Sequence, residues 1–331
     1  MPLFSVIIPN FNHAPFLKER IDSILNQTYV DLEIILLDDN STDNSKEILE
    51  EYCSNNKISH LIVNEKNSGS PVSQWQKGIH LAKGDWIWIA ESDDIADSHF
   101  LEECANCINS HPKTGLVYCD SNIFDVVHQQ TSRRFSDRKN SIFKTVKWSH
   151  AYWQSGIHEI NECLKYDCTV NNVSAAVFKK ELALQILDGA LTFRYYADWY
   201  CFLRLCLLSG ISYIPKALNT YRFHSQSLLN AETSLIISTK EYFKILKLLY
   251  YNNMITNRKK LLTHFAYNYL AFGILKDGPR KMFAITRNYF AIDKTLAFKV
   301  ILRVLQIKLF NKRYKAKFEI NETSSWYSQL Q

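Results

Sequence analysis

The stretch Trp86-Ile-Trp-Ile-Ala-Glu-Ser-Asp-Asp94 runs from aromatic and β-branched residues straight into three carboxylates within four positions. Its apolar part has the make-up of a buried strand. Holding Glu91, Asp93 and Asp94 together sets like charges against one another, which is unfavourable unless a cation or water sits among them. Hard oxygen ligands at a strand end suit Mg²⁺ or Mn²⁺, ions that keep several waters and take further ligands from substrate phosphates. A solvated loop with Asp94 or Asp97 as a helix N-cap is the plainer alternative. A second acidic pair, Asp38-Asp39, also closes an apolar run, and a turn with an Asx cap accounts for it equally well. Neither GxGxxG nor GxxxxGK[ST] occurs among the nine glycines, so a diphosphate bound here must be neutralised by a metal and side chains.

The elements that would position these groups alternate strand and helix over the first 120 residues. Strands are expected at Phe4–Ile8, Leu32–Leu37, Ile58–Val63, Trp86–Ala90 and Gly115–Cys119. Helices are expected from Pro15 along the face Phe16, Leu17, Ile21, Ile24, Leu25, from Asp43 to about Cys53 behind a Ser41/Thr42 cap, through Trp75 and Ile79 to Leu81, and over Ser98–Asn109. Strands without alternation, separated by helices, predict an α/β protein with a mostly parallel sheet covered on both faces. Ligands of such sheets bind beyond the carboxyl ends of the strands, where Pro9-Asn10, Asp38-Asp39 and Glu91–Asp94 all fall. Residues 125–165 read as an inserted loop region with a basic patch at Arg133, Arg134, Arg138 and Lys139 that covers the site. Thr169–Phe178 reads as a strand, Ala197–Ser209 as a helix, and Ile211–Pro215 and Ala217–Phe223 as short strands. Helices are expected at 231–251, 257–275, 279–290 and 294–310.

At 331 residues, 47% apolar and 22% charged, the chain has the composition of a globular protein with one large or two modest cores. No 18-residue apolar run predicts a transmembrane helix, and the start, without a basic segment, reads as a first strand rather than a signal peptide. Eight cysteines lie in apolar and helical stretches, with one CxxC at Cys104-Ala-Asn-Cys107 and no second pair, a pattern of reduced structural thiols in a cytoplasmic protein. Charge is uneven: 18 Lys and Arg stand against 6 Asp and Glu from residue 231 onward, and 21 against 27 before it. The division expected is therefore a catalytic part at 1–230, in halves of about 1–120 and 121–230, and a basic helical part at 231–331.

Ser5-Val-Ile-Ile-Pro-Asn-Phe-Asn12, Asp38-Asp-Asn-Ser-Thr-Asp43, Gly84-Asp-Trp-Ile-Trp-Ile-Ala-Glu-Ser-Asp-Asp94 and Asp198-Trp199 resemble, in this order, the marks of GT-A fold family 2 glycosyltransferases. The resemblance covers roughly residues 3–230 and is strongest to bacterial enzymes of O-antigen, capsule and other surface polysaccharides. It implies the GT-A nucleotide-diphospho-sugar transferase fold and inverting transfer of one sugar from a UDP- or dTDP-sugar, aided by Mn²⁺ or Mg²⁺. It places Pro9, Asn10 and Phe11 in the nucleobase pocket, Asp39 on the base, and Ser70 and Lys77 at the nucleotide and donor. Asp38 then supports the strand end, and Trp75 reads as core. Glu91-Ser-Asp93 takes the DxD position with Glu in place of the first Asp. Metal ligation falls to Asp93 or Asp94. In Tyr221-Arg-Phe-His-Ser-Gln-Ser227, Arg222 meets phosphate and His224 the metal or the pyrophosphate. Asp198 is the base, with Ala197 where an acidic residue is common; as a plainer role Asp198 serves the first turn of the helix that follows.

The acceptor implied is a glycan or a glycan on a polyprenyl diphosphate. The segment 294–317 sets Lys299, Arg303 and Lys308 among apolar residues. It suits either an anionic membrane surface, on the inner face of the plasma membrane, or packing on the catalytic part. Nucleic acid does not fit an acidic edge. Two alternatives stand beside this reading: a sugar-1-phosphate nucleotidyltransferase, disfavoured because Asn10-Phe-Asn-His-Ala-Pro15 has neither glycine nor Lys or Arg, and a catalytically degenerate, membrane-associated assembly subunit.

Overall fold

The computed structural model describes residues 3–170, 172–224, 231–255, 261–266 and 278–310. Strands β1 (Phe4–Asn10) and β2 (Leu32–Asp38) are buried at every position, as strands covered on both faces must be, and their inner polar pair is satisfied internally: Ser5 donates to Glu33 at 2.6 Å. Between them lies α1 (Ala14–Leu25), and after them α2 (Ser45–Glu51), β3 (Ile58–Val63), α3 (Pro71–Leu81) and β4 (Trp86–Ile89). The four strands pair in parallel in the order β3-β2-β1-β4. The order therefore reverses at β1, and the crevice beyond the carboxyl ends of β1 and β4 is where this architecture binds ligands.

The sheet then changes character. After β5 (Ile95–Ala96) and α4 (Phe100–Ser110), the long β6 (Thr114–Asp125) is joined to β4 through an antiparallel strand that comes later in the chain. Residues 125–165, expected to be a loop region, instead form β7 (Gln130–Arg134), α5 (Phe135–Phe143), β8 (Tyr152–Ser155) and α6 (Gly156–Glu159), followed by a wide helical turn at Ile160–Leu164. β7 is exposed along its whole length and is held by its ladder to β6, so no buried face marks it in the sequence. The strand expected at Thr169–Phe178 is reduced to β9 (Ala176–Lys179), because Asn172 accepts the Ala175 N–H at 2.9 Å and winds Val173–Ala175 into a 3-10 turn. α7 (Lys180–Leu184), α8 (Leu187–Ala190) and α9 (Ala197–Leu208) precede β10 (Gly210–Phe223), one strand parallel to β6 where two were expected. Its register shifts between Ile214 and Ala217, where Pro215 has no N–H for the ladder.

The chain divides into two compact units, Met1–Glu241 and Tyr242–Gln331, at a point inside α10 (Ala231–Tyr251). The second unit holds the rest of α10, helical residues 261–266, α11 (Gly278–Ile292) and α12 (Lys294–Phe310) around Phe243, Leu246, Phe265, Tyr289 and Val300. The helix expected at 257–275 is described only over 261–266, and the basic run at 311–317 lies outside the described residues. The cysteines in the structure are all free thiols.

Candidate active site

Three strand ends converge on one edge. Asn10 closes β1 and donates through Nδ2 to Asp38 Oδ1 at 2.8 Å, while Ser41 closes the turn onto both Asp38 oxygens at 2.6 and 2.8 Å. Asp38 is thus a brace between β1 and β2. Asp39 is also buried, and its carboxylate accepts from Asn64 Nδ2 at 2.6 Å, Gln74 Nε2 at 2.7 Å, Ser68 Oγ at 2.8 Å and the Ser68 N–H. It ties the 64–70 loop to the sheet edge. Lys77 donates to Asn64 on the same wall, and Ser70 stands at the N-cap of α3 with its Oγ buried and without a hydrogen-bond partner among the described residues. Pro9 is buried in β1, whereas Phe11, just past the strand end, is 45% exposed, an aromatic face open beside Asn10.

β4 carries the acidic turn. Glu91 is half-buried, and its Oε1 accepts from the Trp75 indole N–H at 2.8 Å, so Trp75 is core and hydrogen-bond donor at once. Burial, reinforced by the Asp93 charge, pushes the Glu91 carboxyl up to about 8. Burial and the same neighbour raise Asp94, whereas Asp93 is lowered: the His224 hydrogen bond and the nearby imidazoles outweigh its own burial. Asp93 Oδ2 lies 3.1 Å from His224 Nε2. His13, at the N-cap of α1, joins them: one ligand atom from each of His13, Asp93 and His224 lies within 4.8 Å of the others. Neighbouring ligands of an octahedral ion with bonds of about 2.1 Å are about 3 Å apart, so Asp93 and His224 fit a divalent cation. His224 Nδ1 is buried without a hydrogen-bond partner among the described residues.

Asp94 is not part of this cluster; Asn172 donates to its Oδ2 at 2.8 Å and the Arg222 N–H to its Oδ1 at 3.2 Å. Arg222, expected at phosphate, is buried and committed to protein groups. Its guanidinium meets Glu19 at 2.6 Å, the Asp93 and Asp94 carbonyls, the Phe16 carbonyl at 3.4 Å, and stands 4.8 Å over the Phe16 ring. A buried guanidinium needs fixed acceptors for its donors, and here they are the backbone of the acidic turn. Arg20 lies beneath, fully buried and 5.0 Å over the Trp88 ring, with no hydrogen-bond partner among the described residues for its three nitrogens; burial lowers it to about 10. It faces the charges of Asp94, Asp93 and Glu91. Sequence reasoning missed His13, Ser92, Arg20 and Asn172. Only Arg20 carried a signal, its spacing from Leu17 and Ile24 on the apolar face of α1.

Asp198 stands in the first turn of α9, half-buried, and accepts the Trp199 N–H at 2.7 Å. Burial pushes it up to about 6, and the nearby Glu241 carboxylate adds to the rise. Glu241 itself is buried and accepts the backbone N–H groups of Arg194, Tyr195 and Tyr196 at 2.6, 2.9 and 3.0 Å, fixing the entry to α9. A second acidic group, Glu159, Glu162 and Cys163, already has its cation: Lys147 Nζ reaches Glu159 at 2.7 Å and Glu162 at 2.5 Å.

Residues 5–183 match the family model described as Glycosyl transferase family 2. Among curated proteins, the chain is 40% identical to glycosyltransferase GlyG of Streptococcus pneumoniae over 101 residues, 30% of this chain and 33% of GlyG. It is 34% identical to the putative teichuronic acid biosynthesis glycosyltransferase TuaG of Bacillus subtilis over 149 residues, 43% of this chain and 59% of TuaG. The matched part thus spans between about a third and three fifths of these relatives. Among solved structures, S. aureus TarS 1-349 in complex with UDP-GlcNAc shares the fold, with a TM-score of 0.65 at 17% identity over 99% of this chain and 93% of that one.

Proposed function

The chain belongs to glycosyl transferase family 2, and from that premise we propose that it is an inverting, metal-dependent glycosyltransferase of surface polysaccharide assembly. Its donor is a UDP- or dTDP-sugar and its acceptor a glycan, free or carried on a polyprenyl diphosphate. The observation that carries the reading is the meeting of Asp93 with His224, 131 residues apart, beyond the end of β4. TarS, solved with UDP-GlcNAc, favours a uridine donor, and TuaG's name favours a polysaccharide product.

In this reading Phe11 stacks on the base and Asp39 accepts its imide N–H, exchanging one of its hydrogen bonds to the 64–70 loop for the ligand. Pro9 and Asn10 shape the floor, Ser70 and Lys77 approach the nucleotide and donor, and Glu91 contacts the ribose. Asp93 and His224 would hold Mn²⁺ or Mg²⁺, which when bound would supply charge compensation for the diphosphate. Asp94 and Arg222 set the turn on which Asp93 rides. The acceptor hydroxyl attacks the anomeric carbon from the side opposite the diphosphate. As the new C–O bond forms and the old one breaks, Asp198 takes the hydroxyl proton. A carboxylate raised to about 6 is still ionised at neutral pH and is a better base than an ordinary one. The protein works in the cytoplasm, docked on the inner face of the plasma membrane through 294–317.

The test is donor turnover by the full chain with UDP-, dTDP- and GDP-sugars under Mn²⁺, Mg²⁺ or EDTA, beside Asp93→Ala and Asp198→Ala. Metal-dependent donor binding lost in Asp93→Ala, with turnover lost and binding kept in Asp198→Ala, supports the proposal. Binding of no nucleotide sugar under any condition rejects it in favour of the degenerate assembly subunit.

A further inference from the structure

His13 has a residue type that its place in the fold does not explain. It occupies the N-cap position of α1, where Ser, Thr, Asp or Asn would satisfy an open helix N–H, yet its side chain caps nothing. Instead its Nδ1 lies 2.8 Å from Oγ of the buried Ser92. Its ring stands edge-on to His224, with centroids 5.6 Å apart at 88°, and both rings pack against Phe16. The backbone on either side is fixed before any ligand arrives. Asn12, at φ 57°, accepts the Thr42 N–H at 2.7 Å and gives its own N–H to Ser41 Oγ at 2.9 Å, and the Ala14 N–H is taken by Asp43 at 3.0 Å. One ring nitrogen is thus held by a hydroxyl while the side chain joins the Asp93 and His224 ligand atoms within 4.8 Å. An imidazole fixed through one nitrogen by a second residue is the usual arrangement of a metal ligand.

We infer that His13 is a third protein ligand of the divalent cation, making a His–Asp–His set that favours Mn²⁺ and Co²⁺ over Mg²⁺. The inference rests on the metal-dependent reading above and deepens it. Mg²⁺ takes oxygen ligands and keeps its waters, whereas imidazole nitrogen gains in worth along the series from Mn²⁺ to Co²⁺. Two imidazoles and one carboxylate therefore select on ligand type, and Ser92 is the positioning residue that orients the first imidazole.

The experiment measures metal binding rather than turnover. Mn²⁺ binding to the full chain is followed by loss of the free-ion electron paramagnetic resonance signal, and Co²⁺ by its visible absorption, each with and without UDP. The variants are His13→Ala, His13→Gln (which keeps a polar group for Ser92) and Asp93→Ala, with thermal unfolding as the folding control; where His13→Ala does not fold, His13→Gln gives the reading. The inference expects His13 variants to bind Mn²⁺ and Co²⁺ about tenfold or more weakly, to alter the Co²⁺ spectrum, and to narrow the preference for Co²⁺ over Mg²⁺. Unchanged Mn²⁺ and Co²⁺ affinity in a folded His13 variant, beside loss in Asp93→Ala, overturns it and leaves the two-ligand site standing. Unchanged metal affinity with weaker UDP binding also overturns it, in favour of a diphosphate contact. Absence of metal binding by the unaltered protein, with UDP present, removes the metal-dependent reading itself and this inference with it.

Discussion

A carboxylate that takes a proton from a sugar hydroxyl works best when its own proton affinity is raised, and in the proposed role of base Asp198 would meet that need at a cost to the fold. Its value of about 6 stands above the ordinary 3.8 because the group is buried, with Glu241 nearby. The folded state therefore holds the proton more tightly than the unfolded chain does. The stability this gives is complete below the unfolded value and is lost as pH rises through about 6. Asp198→Asn is accordingly expected to lower kcat by about 10²–10⁴, and to raise Tm over the parent protein at pH 8 but not at pH 4. In the parent, activity should fall as pH drops through about 6; a profile flat down to pH 5, or Tm values that differ equally at both pH values, would sink the assignment. At this scale the sequence was legible where type and position coincide. Three acids at a strand end announce themselves, whereas His13 before Ala14-Pro15 reads as a helix entry and acquires meaning only when β4 and β10 bring Asp93 and His224 beside it. The charge of Arg222 suggests phosphate; in the structure the side chain is buried and its donors go to Glu19 and the acidic turn.

The strands that present the site were readable for the same reason that they are rigid: β1, β2 and β4 are mostly apolar and buried at every position because both faces are covered. What lay beyond reach is held by pairing rather than burial, as in the exposed β7, or by local side-chain caps, as at Asn172. α3 sits between these cases. Its buried residues Val72, Gln74, Trp75, Gly78 and Ile79 make one face, and through it Gln74 reaches Asp39 and Trp75 reaches Glu91. Gly78 permits the approach, since a Cβ there would lie 2.4 Å from Cγ2 of the fully buried Ile7. In a helix interior, Gly→Ala alone gains about 1 kcal/mol, but overpacking a core costs about 1–3 kcal/mol. Because Ile7 is walled in on β1, the second effect should win. Gly78→Ala is expected to lower Tm by a few degrees, at about 2–4 °C per kcal/mol, and to weaken nucleotide binding as α3 lifts from Asp39. A Tm equal to or above the parent's would mean that Ile7 yields freely and that the close contact is incidental.

At the scale of the whole chain, charge is the feature that a single domain does not explain. The 18 basic against 6 acidic residues from 231 onward follow a part with 21 against 27. On α12, Leu296, Ala297, Val300 and Val304 are buried, while Phe298, Leu302 and Leu305 are exposed at 65%, 57% and 49%. The helix therefore has an apolar stripe beyond the one it buries, at spacings of four and three residues, flanked by the exposed Lys299. Arg303 is hydrogen-bonded to Thr263 at 3.1 Å and Gln306 at 3.1 Å. Among the described residues no helix is long and apolar enough to cross a membrane, and an exposed stripe beside a basic surplus suits a helix that lies in the interface. The full chain should co-sediment with vesicles of anionic phospholipid, less so as salt rises, and not with purely zwitterionic ones. Lys299→Ala should weaken that partition about fivefold, from about 1 kcal/mol per cation at an anionic surface. Phe298→Glu with Leu302→Glu should abolish it while turnover of a soluble acceptor stays unchanged. Binding that follows salt but ignores the Phe298 and Leu302 pair would reduce the contact to general electrostatics, and equal binding to neutral vesicles would remove the basic surplus as its cause.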